Sequence, residues 1–290
     1  MKSVSESYLG LRCIVETESA SLFASQVESR PLSDKVWFFV YIPQFFLQSL
    51  VKKLIRKNAY VLVDSCEDDP VVQQLNDSAK ALGVCKDMPL SLIDKLGNVK
   101  IFSRDKEREK NAIDDLLVWA NKFSPLIVDK FPDGLLVEMK GSLKLFGGQE
   151  KLIKIMSDEL QIRGYKFNLA IGLTPLLAEI SAKIGWKGDI SNRFAYKKIN
   201  NVPISVLSFL PKQFDVLNKM GVRTLGDCQK LPRKGLAERF GKDIMLQFDR
   251  LYGYSPDPQT FFTAVSKKSI LMAIDGDVGN WSELKFHIKK

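Results

Sequence analysis

The residue types that most often carry enzyme chemistry are sparse in this sequence. The single histidine, His287, lies three residues before the end of the chain. This argues against a histidine base or a His-rich metal site. The four cysteines are scattered, and no two of them have a CxxC spacing: Cys13, Cys66, Cys85 and Cys228. The sequence therefore predicts neither a zinc site nor a disulfide framework.

A glycine-containing hairpin with basic flanks is the most promising binding element. Residues Met220–Asp227 read MGVRTLGD and lie between two helical patterns. Gly221 and Gly226 would let the backbone approach a phosphate, and free amides at the next helix start, capped by Thr224, would bind it. The hairpin is surrounded by cations: Lys219, Arg223, Lys230, Arg233, Lys234, Arg239 and Lys242. These residue types suit contact with a phosphate group without sequence readout; the alternative is an ordinary helical corner with a solvated charged face.

The elements that must position these residues alternate between strands and helices. Apolar runs predict strands at 36–42, 60–63, 99–102, 127–131, 134–139 and 167–172. Helical spacing predicts helices at 44–56, 71–82, 87–96, 105–123, 149–164 and 175–184. From Pro203 onward the chain becomes helical and basic. The order indicates an α/β or α+β sheet domain with an inserted part, followed by an all-α region.

Composition is consistent with a globular protein that meets polyanions. The chain has 290 residues, 45% of them hydrophobic and 27% charged, with 43 Lys and Arg against 34 Asp and Glu. The formal charge of +9 favours nucleic acid, although a solubility surplus would look the same. No apolar run is long enough for a membrane span, and the N-terminus lacks a signal pattern. We expect a cytoplasmic protein of two or three modules.

Five stretches in a fixed order resemble the Y-family (translesion, UmuC/DinB-like) DNA polymerases over about 36–253. They are FFVYIPQFF at 38–46, KALGVCKDMPLSLIDKL at 80–96, FPDGLLVEMKGSLKLFGG at 131–148, LAIGLTPLLAEISAKIG at 169–185 and LNKMGVRTLGDCQKLPRKGLAERFG at 217–241. The combination is specific, whereas no single piece is. The resemblance is closest to the ImuB pseudo-polymerase branch, chiefly through GSLKLFGG.

The resemblance implies an α+β fold with a mixed-sheet palm, inserted fingers and an all-α thumb with a helix-hairpin-helix. It implies an N-terminal extension at 1–34 and a palm-like domain at 35–197, with the fingers at about 44–98. A thumb-like domain would follow at 198–256. Residues 257–290 would form a linker and a truncated or divergent start of a little finger, which would otherwise be largely missing.

The resemblance also implies that the catalytic carboxylates are lost. Active family members hold two magnesium ions with a D-x-D strand end and an S-x-D-E hairpin, because carboxylate oxygens are the ligands that magnesium requires. In this sequence the strand positions are Tyr41 and Pro43, and the hairpin glutamate is Gly134. Asp133 is the residual carboxylate, and Pro-Asp-Gly is also a turn signature. In a regular strand, Glu138 would face the side opposite to Asp133, so we do not expect it to replace the missing metal ligands.

The positions that grip the nucleotide differ as well. The family's fingers Tyr and Arg correspond to Asp77 and Lys80, and a palm Asn-Lys pair corresponds to Leu176 and Leu177. Asp repels a triphosphate and Lys lacks the bidentate fork of Arg. Phe46 occupies the sugar-gate position, where an aromatic side chain on the inner face of a helix is the simpler interpretation.

The function implied is that of a catalytically inactive, sequence-independent DNA-binding adaptor in damage-induced (SOS) translesion repair. The ImuB resemblance implies an error-prone replicative polymerase subunit, a RecA-like accessory protein and the sliding clamp as partners. No cofactor is expected, and magnesium only if the chain is active. No convincing clamp-binding peptide is present. Two alternatives stay open: an active translesion polymerase with displaced metal ligands, and a general helix-hairpin-helix DNA-binding protein.

Overall fold

The protein is described from a computed structural model that covers residues 35–51, 58–64, 70–186, 199–207 and 213–263. The predicted extension at 1–34, the end of the helix predicted at 44–56, and residues 264–290 lie outside the described residues. Within the described ranges, no helix is both long and apolar enough to cross a membrane.

The described strands and helices follow the predicted order except at residues 72–75. The strands are β1 (Trp37–Tyr41), β2 (Ala59–Val63), β3 (Val72–Leu75), β4 (Val99–Ser103), β5 (Ile127–Lys130), β6 (Gly134–Glu138) and β7 (Asn168–Gly172). The first helices are α1 (Phe45–Leu50), α2 (Asp77–Ala81), α3 (Leu90–Ile93), α4 (Lys106–Ala120), α5 (Gln149–Ile162) and α6 (Pro175–Lys183). The later helices are α7 (Phe214–Lys219), α8 (Leu225–Lys230), α9 (Arg233–Phe240) and α10 (Lys242–Leu251). The α+β prediction is confirmed.

The large sheet has the strand order β5-β6-β1-β7 and is antiparallel throughout. β1 is central and pairs along its full length with β6 on one side and β7 on the other. Its last residue, Tyr41, lies opposite Gly134 in β6 and opposite Asn168 in β7. One corner of the sheet therefore unites the end of β1 with the starts of two neighbouring strands.

Both faces of the large sheet are covered, which explains the unbroken apolar run of β1. Phe38 and Val40 belong to a core that includes buried side chains of α4 and α5. Trp37 and Phe39 point to the opposite face, where they pack with Ala178 and other small side chains of α6. Each large side chain buried in this way contributes roughly 1.5–3 kcal/mol.

The small sheet has the order β3-β2-β4 and corrects one helix prediction. A helix was predicted over 71–82, but residues 72–75 form β3, which pairs antiparallel with β2. Asn76 sets the boundary because its side-chain oxygen accepts hydrogen bonds from Tyr60 N and Ala79 N, each at 3.0 Å. The first of these bonds holds the strand end, and the second caps α2.

The helix predicted at 87–96 starts later than expected. Asp87 has a left-handed backbone (φ 63°), and the helix α3 begins only at Leu90, after Pro89 as its N-cap. A proline disfavours helical geometry in the residue before it, which is consistent with Met88 lying outside the helix. A 3₁₀ turn at Asp94–Leu96 completes the segment.

The thumb-like region, which comprises the described residues from 199 to 251, shares its hydrophobic core with the large sheet. Thr174 joins the two parts. Its hydroxyl accepts from Leu177 N at 3.2 Å, which caps α6, and donates to the carbonyl of Leu251 at 3.0 Å. Farther along, Tyr252 donates to the side-chain oxygen of Asn200 at 3.3 Å. The bonds of Thr174 hold the end of α10 against the start of α6, and the bond of Tyr252 ties the end of α10 to residue 200.

Candidate functional site

The β1–β6 corner, formed by Tyr41, Asp133, Gly134, Glu179 and Lys183, contains the positions where the family resemblance places metal ligands. Tyr41 and Gly134 are direct partners across β1 and β6. The Asp133 carbonyl accepts from Ile42 N at 2.9 Å, which closes the corner. Three of the positions at which the resemblance places metal ligands, Tyr41, Asp133 and Gly134, therefore lie together in the fold. Of these three, only Asp133 carries the carboxylate that active family members have there.

Pro43 stands just beyond the corner, in the turn that leads into α1. Its carbonyl oxygen accepts from the Gln48 side-chain amide at 2.5 Å. The same amide donates to the carbonyl of Lys166 at 3.0 Å, and Lys166 N donates back to Gln48 at 2.7 Å. Gln48 is buried. This turn is therefore held by amide hydrogen bonds, which the sequence did not reveal.

Gly134 has no room for a side chain. Its φ is 150°, and an ideally placed Cβ would lie 1.9 Å from the Val40 carbonyl oxygen and 2.9 Å from the Val40 carbonyl carbon. Both atoms belong to the backbone of β1, so they cannot rotate away as a side chain could. Any residue other than glycine requires the two strands to separate.

Lys183 supplies the positive charge in the corner. Its Nζ lies 2.6 Å from Asp133 Oδ2 and 2.8 Å from Glu179 Oε1, and its side chain is only 14% exposed. Burial by itself lowers the pKa of this ammonium. The charges of Glu179 and Asp133 and the hydrogen bonds to both outweigh burial, so the net pKa is raised. Lys183 is therefore charged at neutral pH.

Sequence reasoning missed both Glu179 and Lys183. The i,i+4 spacing of an acid and a lysine on α6 was visible in the sequence. The contact with Asp133, fifty residues earlier along the chain, became visible only in the fold.

Tyr41 is a neutral, half-buried phenol in this corner. Burial raises the pKa of Tyr41, the charge of Asp133 raises it further, and the charge of Lys183 offsets part of the effect. A neutral phenol is a poor substitute for a carboxylate as a magnesium ligand.

Glu138 lies too far away to contribute. It ends β6 opposite Trp37, four strand positions or ~13 Å from Gly134. It is buried, and its carboxylate accepts from Val36 N at 3.3 Å and Lys140 N at 3.0 Å. Its Oε1 is therefore bound by backbone amides at the opposite end of the sheet.

The other metal-ligating residue types do not converge either. In the described part of the chain, no group of three or more His, Cys, Asp or Glu side chains could hold a metal ion. Cys85 is exposed, whereas burial raises the pKa of Cys228 to about 12 and keeps that thiol protonated.

The predicted nucleotide-handling positions are dispersed. Asp77 at the start of α2 forms an ion pair with Lys166 at 3.1 Å, and Lys80 is exposed to solvent. Leu177 is fully buried in the large core, with Leu176 packed against it. Phe46 also packs on the core, beneath the Arg104 guanidinium at 4.9 Å from its ring centre. These contacts agree with the simpler interpretation of Phe46.

The 220–227 hairpin closes on itself through a capping box. Thr224 caps α8 as predicted, because its hydroxyl accepts from Asp227 N at 3.2 Å. The Asp227 carboxylate accepts from Thr224 N at 3.1 Å and from Arg223 N at 3.3 Å. The hydrogen bond with Thr224, followed by that with Arg223, lowers the pKa of Asp227 to about 2.

Most backbone amides around this helix start are already engaged within the protein. Gly221 N and Val222 N donate to the end of α7, and Leu225 N donates to the carbonyl of Val202 at 2.9 Å. The role predicted for Gly226 also changes, because its ideal Cβ would lie 2.9 Å from the Asn200 carbonyl oxygen. Gly226 permits close packing inside the protein. At this hairpin the exposed basic side chains are therefore more available to an anion than most of the backbone amides are.

The basic side chains around the hairpin differ in how closely they pair with carboxylates and in how exposed they are. One guanidinium nitrogen of Arg233, Nη2, donates to both carboxylate oxygens of Asp249, at 2.9 and 2.8 Å. Lys230 lies 3.4 Å from Asp227, and Lys234 lies 4.0 Å from Glu238, with both lysines highly exposed. Arg223 is exposed as well. The exposed set that could meet a polyanion is Lys219, Arg223, Lys230, Lys234, Arg239 and Lys242.

Comparisons with known proteins identify a matching family model and solved structures with a similar fold. Residues 40–183 match the model of the impB/mucB/samB family. The fold resembles the crystal structure of DinB from Sulfolobus solfataricus with a TM-score of 0.64 at 18% identity, covering 77% of this chain and 69% of that one. An insertion ternary complex of Dbh DNA polymerase gives 0.63 at 16% identity, with 77% and 69% covered. Residues 40–183 thus match the impB/mucB/samB family model, and the fold is that of the Y-family DNA polymerases.

Sequence relatives add a link to ImuB. Protein ImuB of Caulobacter vibrioides (strain NA1000 / CB15N) is 27% identical over 158 residues, which are 54% of this chain and 34% of that protein. DNA polymerase IV of Alkaliphilus oremlandii (strain OhILAs) is 23% identical over 251 residues, 81% of this chain and 61% of that protein. The chain thus spans between a third and two thirds of these relatives, one of which is named as a polymerase.

Proposed function

We propose that this protein is a non-polymerising Y-family member that binds DNA and serves as an adaptor in error-prone repair of damaged DNA. The observation that carries the proposal is the close approach of Gly134 to Val40. A glutamate at position 134 is incompatible with this strand spacing. The corner is therefore adapted to the absence of that ligand, beyond merely lacking it.

The corner does not fit the two magnesium ions that the fold family implies. Tyr41 and Pro43 provide no carboxylate, and the remaining Asp133 is bound to Lys183 at 2.6 Å. Two-metal chemistry needs several carboxylate oxygens that bridge the ions. We therefore derive no phosphoryl-transfer step for this chain.

DNA binding is supported by the likeness to DNA polymerases and by the exposed cations of the thumb-like region. Arg223, Lys230 and Lys234 extend from the hairpin and from α9 into solvent. Lysine and arginine side chains bind phosphates without reading the base sequence and release counterions as they do so. Binding would be independent of base sequence and would weaken steeply with salt.

The adaptor role is inferred from the likeness to ImuB. We propose three protein partners on this basis: an error-prone replicative polymerase subunit, a RecA-like accessory protein and the sliding clamp. The large sheet supports a scaffold role, because both of its faces are buried by apolar side chains that do not depend on a metal ion. Such a core keeps the shape of a polymerase after its chemistry is lost.

Fluorescence anisotropy on labelled primer–template DNA of two unrelated sequences would test the proposal. We expect affinities equal within a factor of about two, a log–log salt slope of several units, and no loss of binding when EDTA replaces magnesium. Strong base-sequence preference, or binding that requires magnesium, would count against a non-catalytic backbone-binding protein. In the latter case an active polymerase with displaced ligands would become the better account.

A further inference from the structure

The ion pairs of Lys183 join two separate elements at the corner. Asp133 lies in the turn before β6, whereas Glu179 and Lys183 lie one turn apart on α6. The Lys183 and Glu179 side chains are only 14% and 15% exposed, although Asp133 is half-exposed at 47%. This geometry differs from that of a solvated surface pair, which typically contributes little.

The two carboxylates would repel each other without the ammonium between them. Both accept from the same nitrogen, at 2.6 and 2.8 Å, so their oxygens lie within ~5.5 Å of one another by the sum of these distances. Like charges at this separation disfavour the charged forms unless a cation lies close to both. Tyr41, the nearest side chain on β1, contributes a neutral phenol and no charge of its own.

We propose that the Lys183 ammonium is the resident cation of the β1–β6 corner. It lies between Asp133 and Glu179, holds α6 to the β6 turn, and makes the corner both stable without a divalent cation and closed to one. The inference goes beyond the proposed function, because it concerns the electrostatics of the corner and holds whether or not the chain binds DNA.

The test uses the full chain with Lys183→Met, which keeps an unbranched side chain of similar length and removes the charge. Lys154→Met is the matched control, because Lys154 is an exposed lysine on α5. Thermal unfolding is measured in EDTA and in manganese chloride. Manganese binding is measured by electron paramagnetic resonance. Neither readout involves DNA or nucleotides, so a failure here is distinguishable from a failure of the proposed function.

We expect the wild type to melt at the same temperature in EDTA and in manganese and to show no specific bound manganese. Lys183→Met should lower Tm by roughly 5 °C in EDTA. Manganese should restore much of this loss and bind at least tenfold more tightly than to the wild type. Lys154→Met should change neither quantity.

A compensated variant keeps the test decisive if Lys183→Met does not fold. Lys183→Met combined with Asp133→Asn and Glu179→Gln removes all three charges, and it should fold and bind no manganese. Two results would overturn the inference: specific manganese binding to the wild type that is lost in Asp133→Asn, or a Lys183→Met protein that matches Lys154→Met in both stability and manganese binding. Failure of the compensated variant to fold would also contradict it.

Discussion

The β1–β6 corner and the 220–227 hairpin are closed in different ways. At the corner, a lysine from α6 reaches across to a carboxylate that lies fifty residues earlier. At the hairpin, Thr224 and Asp227 satisfy each other's backbone amides within a single turn. The long-range ion pair at the corner engages the one remaining carboxylate, that of Asp133. The capping box at the hairpin engages backbone amides and leaves the surrounding lysine and arginine side chains exposed. The comparison shows that one part of this fold binds its remaining carboxylate within the protein, whereas another part leaves its basic side chains exposed to solvent.

The largest effect should come from restoring the family's acidic pattern at the corner. Tyr41→Asp, Pro43→Asp and Gly134→Glu together should greatly destabilise the fold, because the new Cβ at 134 overlaps the Val40 carbonyl and the new carboxylates repel one another. Thermal unfolding with and without magnesium measures this, beside a primer-extension assay that should stay blank. An unchanged Tm would refute the account of the corner.

Gly134→Ala isolates the steric part of that effect. We expect a loss of ~3 kcal/mol or more in the free energy of unfolding, because two backbones must move apart. Gly141→Ala is the matched control, since a Cβ at Gly141 would meet no atom within 4 Å. Urea unfolding of both variants gives the comparison, and equal stabilities would show that β1 and β6 separate easily.

DNA affinity should depend on the exposed cations of the hairpin. Arg223→Ala, Lys230→Ala and Lys234→Ala together should weaken binding at least tenfold on any sequence and reduce the log–log salt slope by up to about 3. Anisotropy titrations at several salt concentrations measure both quantities. An unaltered affinity would place the DNA interface elsewhere.

Arg233 should behave differently from its basic neighbours. Its ion pair with Asp249, made through one guanidinium nitrogen, is partly exposed, so Arg233→Ala should cost ~1 kcal/mol of stability. Its effect on DNA affinity should be smaller than that of Arg223→Ala. Urea unfolding beside anisotropy separates the two effects, with Lys242→Ala as a control for the loss of one exposed charge. The opposite ranking would make Arg233 a DNA contact.

The smallest effect concerns the acid stability of the hairpin. Hydrogen bonds lower the pKa of Asp227 from 3.8 to about 2, so its stabilising effect is complete above pH ~4 and disappears as pH falls toward 2. Asp227→Asn should lower Tm near neutral pH and flatten its dependence between pH 4 and 2. Asp243→Asn, on the exposed start of α10, should leave that dependence unchanged. If both variants follow the wild-type profile, the capping carboxylate is not important for stability.

The sequence predicted the parts of the fold whose patterns are local. The VWFFVYI run placed β1 to within one residue at each end, because a strand buried on both faces needs an unbroken apolar run. The helix predicted at 71–82 was wrong over its first half. There, pairing with β2 and the side chain of Asn76 outweighed helical spacing.

The candidate sites were only partly predictable. The family pattern identified Tyr41, Pro43, Asp133 and Gly134 by position, and Thr224 was recognisable as a helix cap. The clash at Gly134, the contact between Lys183 and Asp133, and the bond from Leu225 N to the Val202 carbonyl each depend on residues far apart in the chain. Spacing along one sequence carries no information about such contacts.

Primer extension is the most direct test of the central claim that the chain does not polymerise. A labelled primer on a longer template is incubated with all four nucleotides and magnesium or manganese, with an active Y-family polymerase as positive control. The account predicts no product above a buffer control at enzyme concentrations that saturate the DNA. Metal-dependent extension that is lost in Asp133→Ala would contradict it, because that aspartate would then be free to bind a metal ion.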